Sequence, residues 1–358
     1  MDLNVVWYLL VGVLLIGYAI LDGFDLGVGI WHLFAKGNKN RRLLMNSIGP
    51  VWDGNEVWLI TAGGALFAAF PHVYATSFSA FYLPFMMLLC ALIFRAVSME
   101  FRGKEDKQWW RNMWDYSFFG GSLLATILFG VAIGNVVLGF EIGADKEFMG
   151  SFFDLLTPYA LLAGVFNVSM FALHGAIYLN LKTEGELQEQ ARKWAKYAYI
   201  AFVILFTSIT AYTLYLKPEM IANFSFGTVK APWEAHGFVA ENKTLVSVFA
   251  WAVVFLNILS ILNIPRTLVK GKEMQAFISS ALTIGAIIGL FALGIFPNMM
   301  ISSLNPAYNL DIYNASSSQG TLSTMFYISI FGLPFVLGYT TIIYWTYRGK
   351  VELTENSY

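Results

Sequence analysis

Apolar stretches long enough to cross a hydrocarbon layer about 30 Å thick recur along this chain, separated by polar breaks. Spans fall at residues 5–34, 49–70, 74–99, 116–140, 154–181, 196–216, 245–264, 275–296 and 323–347. In lipid each backbone N–H and C=O must find its partner inside the protein, so runs of this length are helices. The chain is therefore expected to be all-α, a polytopic membrane protein of about nine helices forming one integral membrane domain over residues 1–358. Composition agrees: 57% of residues are hydrophobic and 13% charged, against about 45–50% and about 25% in soluble domains. An ordinary cytosolic enzyme is excluded. A net charge of −1 leaves no basic surface for nucleic acid. The opening MDLNVVWYLLVGVLLIG has no basic stretch ahead of its apolar run and no cleavage site, so it reads as a retained first helix.

Lys and Arg fix the expected orientation. The breaks after spans 1, 3, 5 and 7, together with the tail, carry seventeen basic residues, and the other side carries four: Lys146, Lys217, Lys230 and Lys243. Such an asymmetry places the N-terminus outside and the C-terminus in the cytoplasm. Two outer breaks, 217–244 and 297–322, are long, and they read as connecting turns over helix ends.

Arg95 is the one basic residue left inside a span. Charges there cost on the order of 2.5–3.5 kcal/mol each, so they call for a reason. The first span carries LDGFDLGVG, with Asp22 and Asp25 three apart on one helical face; the second opens VWDGNEVWL, with Asp53 and Glu56 spaced alike. At a rise of 1.5 Å per residue, Asp22 lies about 26 Å from the outer start, Asp53 about 6 Å from the inner one, and Arg95 about 32 Å along the third span. Glu100, Arg102 and Lys104 follow at once. Four carboxylates and an arginine from three antiparallel helices thus meet at one depth, toward the cytoplasm.

Two uses fit that convergence. Arg95 could neutralise one carboxylate while the others hydrogen-bond across helices as structural glue. Alternatively, carboxylates held this close can store and pass protons, which makes a proton path, and glue needs far fewer formal charges. Gly23 and Gly27 in the first span, and Gly63 and Gly64 in the second, are expected to let helix backbones approach. D-G-F-D-L-G-V-G is not a dinucleotide loop, since no strand precedes it.

Metal chemistry has little to draw on. Cys90 is the single cysteine and lies in an apolar run, which leaves no thiolate site. His72 and His236 fall in outer breaks, His32 at the inner end of the first span, and His174, within FALHGA, is the one well flanked by span. The thirteen methionines are scattered. No haem ligand set is expected, and no metal site.

LLVGVLLIGYAILDGFDLGVG, NSIGPVWDGNEVWLITAGGALFAAFP and FYLPFMMLLCALIFRAVSMEFRGK, within residues 5–105, closely resemble subunit II of the cytochrome bd quinol oxidases. The resemblance implies a heterodimer with subunit I, two bundles related by pseudo-symmetry. Subunit I would ligate two haems b and a haem d and carry the outer quinol loop. The complex would oxidise quinol, reduce dioxygen to water and build a proton-motive force without pumping, in a bacterial cytoplasmic (inner) membrane. Subunit II would support assembly and cytoplasmic proton uptake without catalytic residues of its own. Carried over by motif, Asp53 lies on the proton path with Asp22 and Asp25, Arg95 is their charge partner, and Glu100 and Lys104 mark an intake at the subunit interface. Glu56 joins the set by its spacing, although some relatives carry Gln there. A structural quinone and a small single-helix accessory subunit are further partners the resemblance allows. The competing class is a proton-coupled secondary transporter, because paired Asp-Gly-x-Asp/Glu motifs on opposed helices look like halves of an inverted repeat. Against it, the acids lie toward one face and nine spans do not halve. A third reading is a purely structural membrane partner.

Overall fold

The computed structural model describes residues 2–226 and 237–353. Its helices are α1 (Leu3–Trp31), α2 (Gly37–Ile48), α3 (Trp52–Ala69), α4 (Pro71–Ala80), α5 (Tyr82–Phe101), α6 (Gln108–Leu138), α7 (Pro158–Lys182), α8 (Gly185–Leu216), α9 (Gly237–Val269), α10 (Glu273–Ile295) and α11 (Gln319–Thr346). The expected all-α architecture is present. Among the described residues, eight helices are long and apolar enough to cross a membrane: α1 and α5 through α11. The ninth expected span, 49–70, is α3, which has 18 residues and opens with Asp53, Asn55 and Glu56. Those three polar groups take it out of the apolar class, yet it packs lengthwise on α1.

Local chemistry sets several ends. The Asp2 carboxylate accepts from the backbone N–H of Asn4 at 3.0 Å and caps α1. Thr157 caps α7 through Ala160 N–H at 3.1 Å, with Pro158 at the first helical position, where its missing N–H costs nothing. α6 stops at Gly139, whose φ of +93° admits no ordinary side chain. The expected continuous span 74–99 is instead two helices, α4 and α5, that part at Phe81. Pro84 supplies the reason: lacking an N–H, it fits only the first turn of a new helix. The break after span 1, expected as loop, folds into α2.

α1 and α7 form the centre, α7 being the most buried helix, with α3, α6 and α10 against α1 and α6, α8 and α10 against α7. Lipid offers no hydrophobic drive to join helices, so close packing of small residues carries the contact. A methyl at Gly27 would lie 2.0 Å from the Phe171 carbonyl oxygen, and one at Gly175 would lie 2.3 Å from the Gly27 carbonyl carbon. The two backbones touch. Gly23 abuts the Phe171 ring, whereas Gly63 and Gly64 face open space, so the close approach expected of that second pair does not occur among the described residues.

At the end away from the basic breaks, the segment after α10 is not a plain turn. β1 (Asn298–Met300) pairs antiparallel with β2 (Leu310–Asp311), Asn298 opposite Asp311 and Met300 opposite Leu310 across a bulge. Asn4 Nδ2 donates to Ile312 O at 2.6 Å and Trp7 Nε1 to Leu322 O at 2.9 Å, pinning the start of α1 to this cap. His72, expected in a loop, lies exposed in α4. His236 and Lys230 lie outside the described residues.

Candidate functional site

α1, α3 and α5 bring three of the predicted acids to Arg95. Asp22 and Arg95 are fully buried, and Arg95 Nη2 donates to Asp22 Oδ1 at 3.2 Å. Arg95 Nη1 donates to Glu56 Oε1 in a very short contact. The other Asp22 oxygen accepts from the Tyr18 hydroxyl one turn earlier, at 2.8 Å. Asp25, also fully buried, accepts on Oδ2 from Asn55 Nδ2 at 2.7 Å. Its Oδ1 is buried with no hydrogen-bond partner among the described residues, as is Arg95 Nε. Three carboxylates therefore surround one guanidinium, an excess of formal negative charge that a purely structural ion pair does not need.

Asn55 links this set to α11. Its Nδ2 also donates to Leu21 O at 3.2 Å, and its Oδ1 accepts from the Tyr344 hydroxyl at 2.8 Å. Beyond Tyr344 a cavity of about 940 Å³ opens at the end carrying the basic breaks, lined by Glu100, Tyr178, Lys182, Tyr344 and Lys350 among others. A smaller chamber of about 30 Å³ lies between the start of α3 and α11, lined by Pro50, Gly54, Asn55, Thr340 and Tyr344. The tail bridges the cavity rim: Lys182 Nζ donates to Tyr347 O and, at 2.8 Å, to Gly349 O, while Val351 N–H donates to Lys182 O at 2.8 Å.

The remaining predicted residues lie at the margin of this set or beyond it, Asp53 near enough to Glu56 to act on its charge. Asp53 is exposed in the first turn of α3, at the head of the exposed stripe Val57, Ile60, Gly64 and Phe67. Glu100 is exposed at the cavity rim, and Lys104 is exposed beyond α5. The convergence of four carboxylates at one buried depth is thus corrected to three. Asp53 begins α3, and its side chain leaves on the outer stripe, whereas Asn55 and Glu56 turn toward α1 and α5.

A second buried group was not anticipated. Asp115 of α6 accepts on Oδ1 from His32 Nε2 and from Arg102 Nε, both at 2.5 Å, and on Oδ2 from Arg41 Nη1 at 2.7 Å. It joins the end of α1, α2 and the turn after α5. Because a carboxylate only accepts, His32 carries its proton on Nε2. Asp115 falls one residue before the expected span 116–140, and the Arg-rich boundaries at Arg41 and Arg102 beside this isolated Asp are the sequence signal for the group.

The histidines do not suit an axial haem role. His174 Nε2 donates to Ile20 O at 3.0 Å, and its Nδ1 accepts from the Ser280 hydroxyl at 2.7 Å, which commits both nitrogens. His32 spends Nε2 on Asp115 and its Nδ1 is enclosed. No group of three or more His, Cys, Asp or Glu able to hold a metal ion occurs among the described residues.

Comparison with known proteins gives a consistent answer. The sequence model of the cytochrome bd terminal oxidase subunit II family matches residues 3–347. The chain is 38% identical to cytochrome bd-I ubiquinol oxidase subunit 2 of Escherichia coli (strain K12), over 98% of this chain and 95% of that one. It is 36% identical to cytochrome bd ubiquinol oxidase subunit 2 of Bacillus subtilis (strain 168), over 99% and 98%. In fold it is similar to a chain of the bd oxidase of Geobacillus thermodenitrificans, with a TM-score of 0.74 at 17% identity, over 96% of this chain and 98% of that one.

Proposed function

Because the chain belongs to the cytochrome bd terminal oxidase subunit II family, we propose that it serves a quinol-oxidising, dioxygen-reducing complex as its proton-intake subunit. Membership makes it the second subunit of a respiratory quinol oxidase, a multi-pass membrane protein with a first subunit as partner. Two quinols supply four electrons and release four protons as one dioxygen takes up four protons to give two waters. Releasing the first set outside and drawing the second from the cytoplasm builds a proton-motive force with no pump. The basic breaks, on the cytoplasmic side under this reading, put Asp22, Asp25, Glu56 and Arg95 near the inner edge of the bilayer. Residues 1–358 act as one integral membrane domain in a bacterial cytoplasmic membrane.

The observation that carries this reading is the set itself: the fully buried Asp22 and Asp25 and the half-buried Glu56 about Arg95, one Asp25 oxygen without a partner among the described residues, beside a cavity open toward the basic end. A structural pair would be satisfied by one acid. Asp53 extends the route outward: it tops an apolar stripe of α3 that is exposed among the described residues, and a carboxylate there suits a protein neighbour better than lipid. Subunit I is that neighbour, with Glu100 and Lys104 at the outer mouth. In this reading both haems b and the haem d belong to subunit I; the engagement of both His174 nitrogens, with Ile20 O and the Ser280 hydroxyl, supports it. They supply the electron transfer and oxygen chemistry; this chain positions carboxylates and water. A structural quinone and a small accessory helix are compatible additions. The transporter reading rests on the paired acidic motifs alone, which the family explains.

The test is to purify the complex with Asp25→Asn or Asp53→Asn. Assembly and reduced-minus-oxidised haem spectra should be normal while oxygen consumption slows. Normal spectra with unchanged consumption would refute the proton role; lost haem would make the cluster structural. A wild-type preparation with no copurifying haem subunit would instead favour a transporter.

A further inference from the structure

Tyr344 and Asn55 lie outside the set of acids, yet they connect it to the cytoplasmic cavity, and we propose that they are positioning residues of the intake. Tyr344 fixes the Asn55 amide so that it holds one oxygen of Asp25 and leaves the other free for a proton brought by water from the cavity. The inference rests on the proton role of the acidic set and deepens it.

The hydrogen bonds allow one arrangement. Asn55 Nδ2 faces Leu21 O at 3.2 Å and Asp25 Oδ2 at 2.7 Å, two groups that only accept, so the NH2 end must point there. Asn55 Oδ1 is then the acceptor for Tyr344 O–H at 2.8 Å. Rotating the amide would set a carbonyl oxygen against both an anionic oxygen and a backbone carbonyl. The Tyr344 hydroxyl opposes that rotation from the far side. Every hydrogen of the Nδ2 group is spent, and Asp25 Oδ1 remains buried with no partner among the described residues. An unmet buried carboxylate oxygen is costly unless water or a proton reaches it.

Water can come close. The 30 Å³ chamber touches both Asn55 and Tyr344, and a space above roughly 10–15 Å³ is enough for one water where polar partners are present. Tyr344 lines this chamber and the 940 Å³ cavity alike, so it sits where the two meet. An amide carries no proton at neutral pH, so Asn55 orients and does not relay. A proton delivered along water adds to Asp25 Oδ1, and a later transfer from the same oxygen restores the carboxylate.

Asp22, Glu56, Arg95, Tyr178 and Tyr344 are the other titratable groups acting on Asp25, so a pH profile is informative only as a difference between variants. The experiment compares Tyr344→Phe, Asn55→Leu and Asp25→Asn in the purified complex, recording oxygen consumption against pH and against quinol concentration. Tyr344→Phe keeps the ring and should lower kcat by up to roughly tenfold, the upper end of the scale of one lost hydrogen bond between neutral groups. The loss should be greatest at alkaline pH, where protons are scarce, with quinol KM unchanged. Asn55→Leu should do the same more severely. If both keep wild-type kcat and pH profile while Asp25→Asn is slow, the positioning role is wrong and the proton role of Asp25 stands. If Asp25→Asn is also at wild-type rate, both fall. Should the first two variants fail to assemble, Thr340→Phe fills the chamber and leaves the hydrogen bonds intact; reduced kcat supports the proposal and unchanged kcat overturns it.

Discussion

Arg95→Met offers a quantitative test of how the acidic set is held. The side chain is fully buried, and methionine keeps its length without its charge or its donors. Asp22, also fully buried, loses the guanidinium and retains only the Tyr18 hydroxyl. Removing one member of a buried ion pair typically costs about 3–5 kcal/mol, because the other charge is stranded. Glu56 is 23% exposed, so water screens part of its loss and its share should be under about 1 kcal/mol. The sum corresponds to roughly two to four decades in the ratio of unfolded to folded protein. The assay is unfolding of the purified complex in mixed detergent with increasing dodecyl sulfate, followed by tryptophan fluorescence, for Arg95→Met, Asp22→Asn, Glu56→Gln and the two doubles. Arg95→Met with Asp22→Asn should be less destabilised than the sum of the singles by at least about 1.5 kcal/mol, and the Glu56→Gln cycle by less. An Arg95→Met complex as stable as wild type, or equal coupling in both cycles, would refute this account.

The second buried group makes its own prediction. Asp115→Asn strands Arg102, Arg41 and His32 at one stroke, so about 3 kcal/mol or more should be lost in the same assay, with kcat of any assembled complex near wild type. Gly27→Ala places a methyl 2.0 Å from the Phe171 carbonyl oxygen; α1 and α7 must part by about an ångström at a cost on the order of 1–3 kcal/mol. Its melting midpoint in detergent should fall.

What the sequence made legible followed from charges placed where lipid makes them costly. Asp22, Asp25 and Arg95 stand out in apolar runs, and helical rise alone brought them to one depth. Rise could not show that, of Asp53 and Glu56, three apart at the start of α3, only Glu56 reaches Arg95: the outer stripe 53, 57, 60, 64 and 67 is as apolar below Asp53 as the inner one. Asn55 stands between two acids and carries no charge to mark it, and Tyr344 is one of several tyrosines near a membrane boundary, where such residues are common. Their partnership spans 289 positions and becomes visible only in three dimensions. The split at Phe81 was signalled by Pro84. The strand pair between α10 and α11 carried no alternation long enough to read, since β2 has two residues.

The contact between Gly27 and Gly175 has a bearing on electrostatics. Asp25 lies two residues before Gly27 on a helix locked backbone to backbone against α7, so its carboxylate cannot retreat from a passing charge by moving the helix. On the proposed proton route, Arg95, Asn55 and the nearby peptide dipoles would present the same field at every turnover, as a solvent whose molecules are nailed down. Each proton would then meet a landscape that needs no rearrangement before it arrives, and only water and the proton itself would have to move.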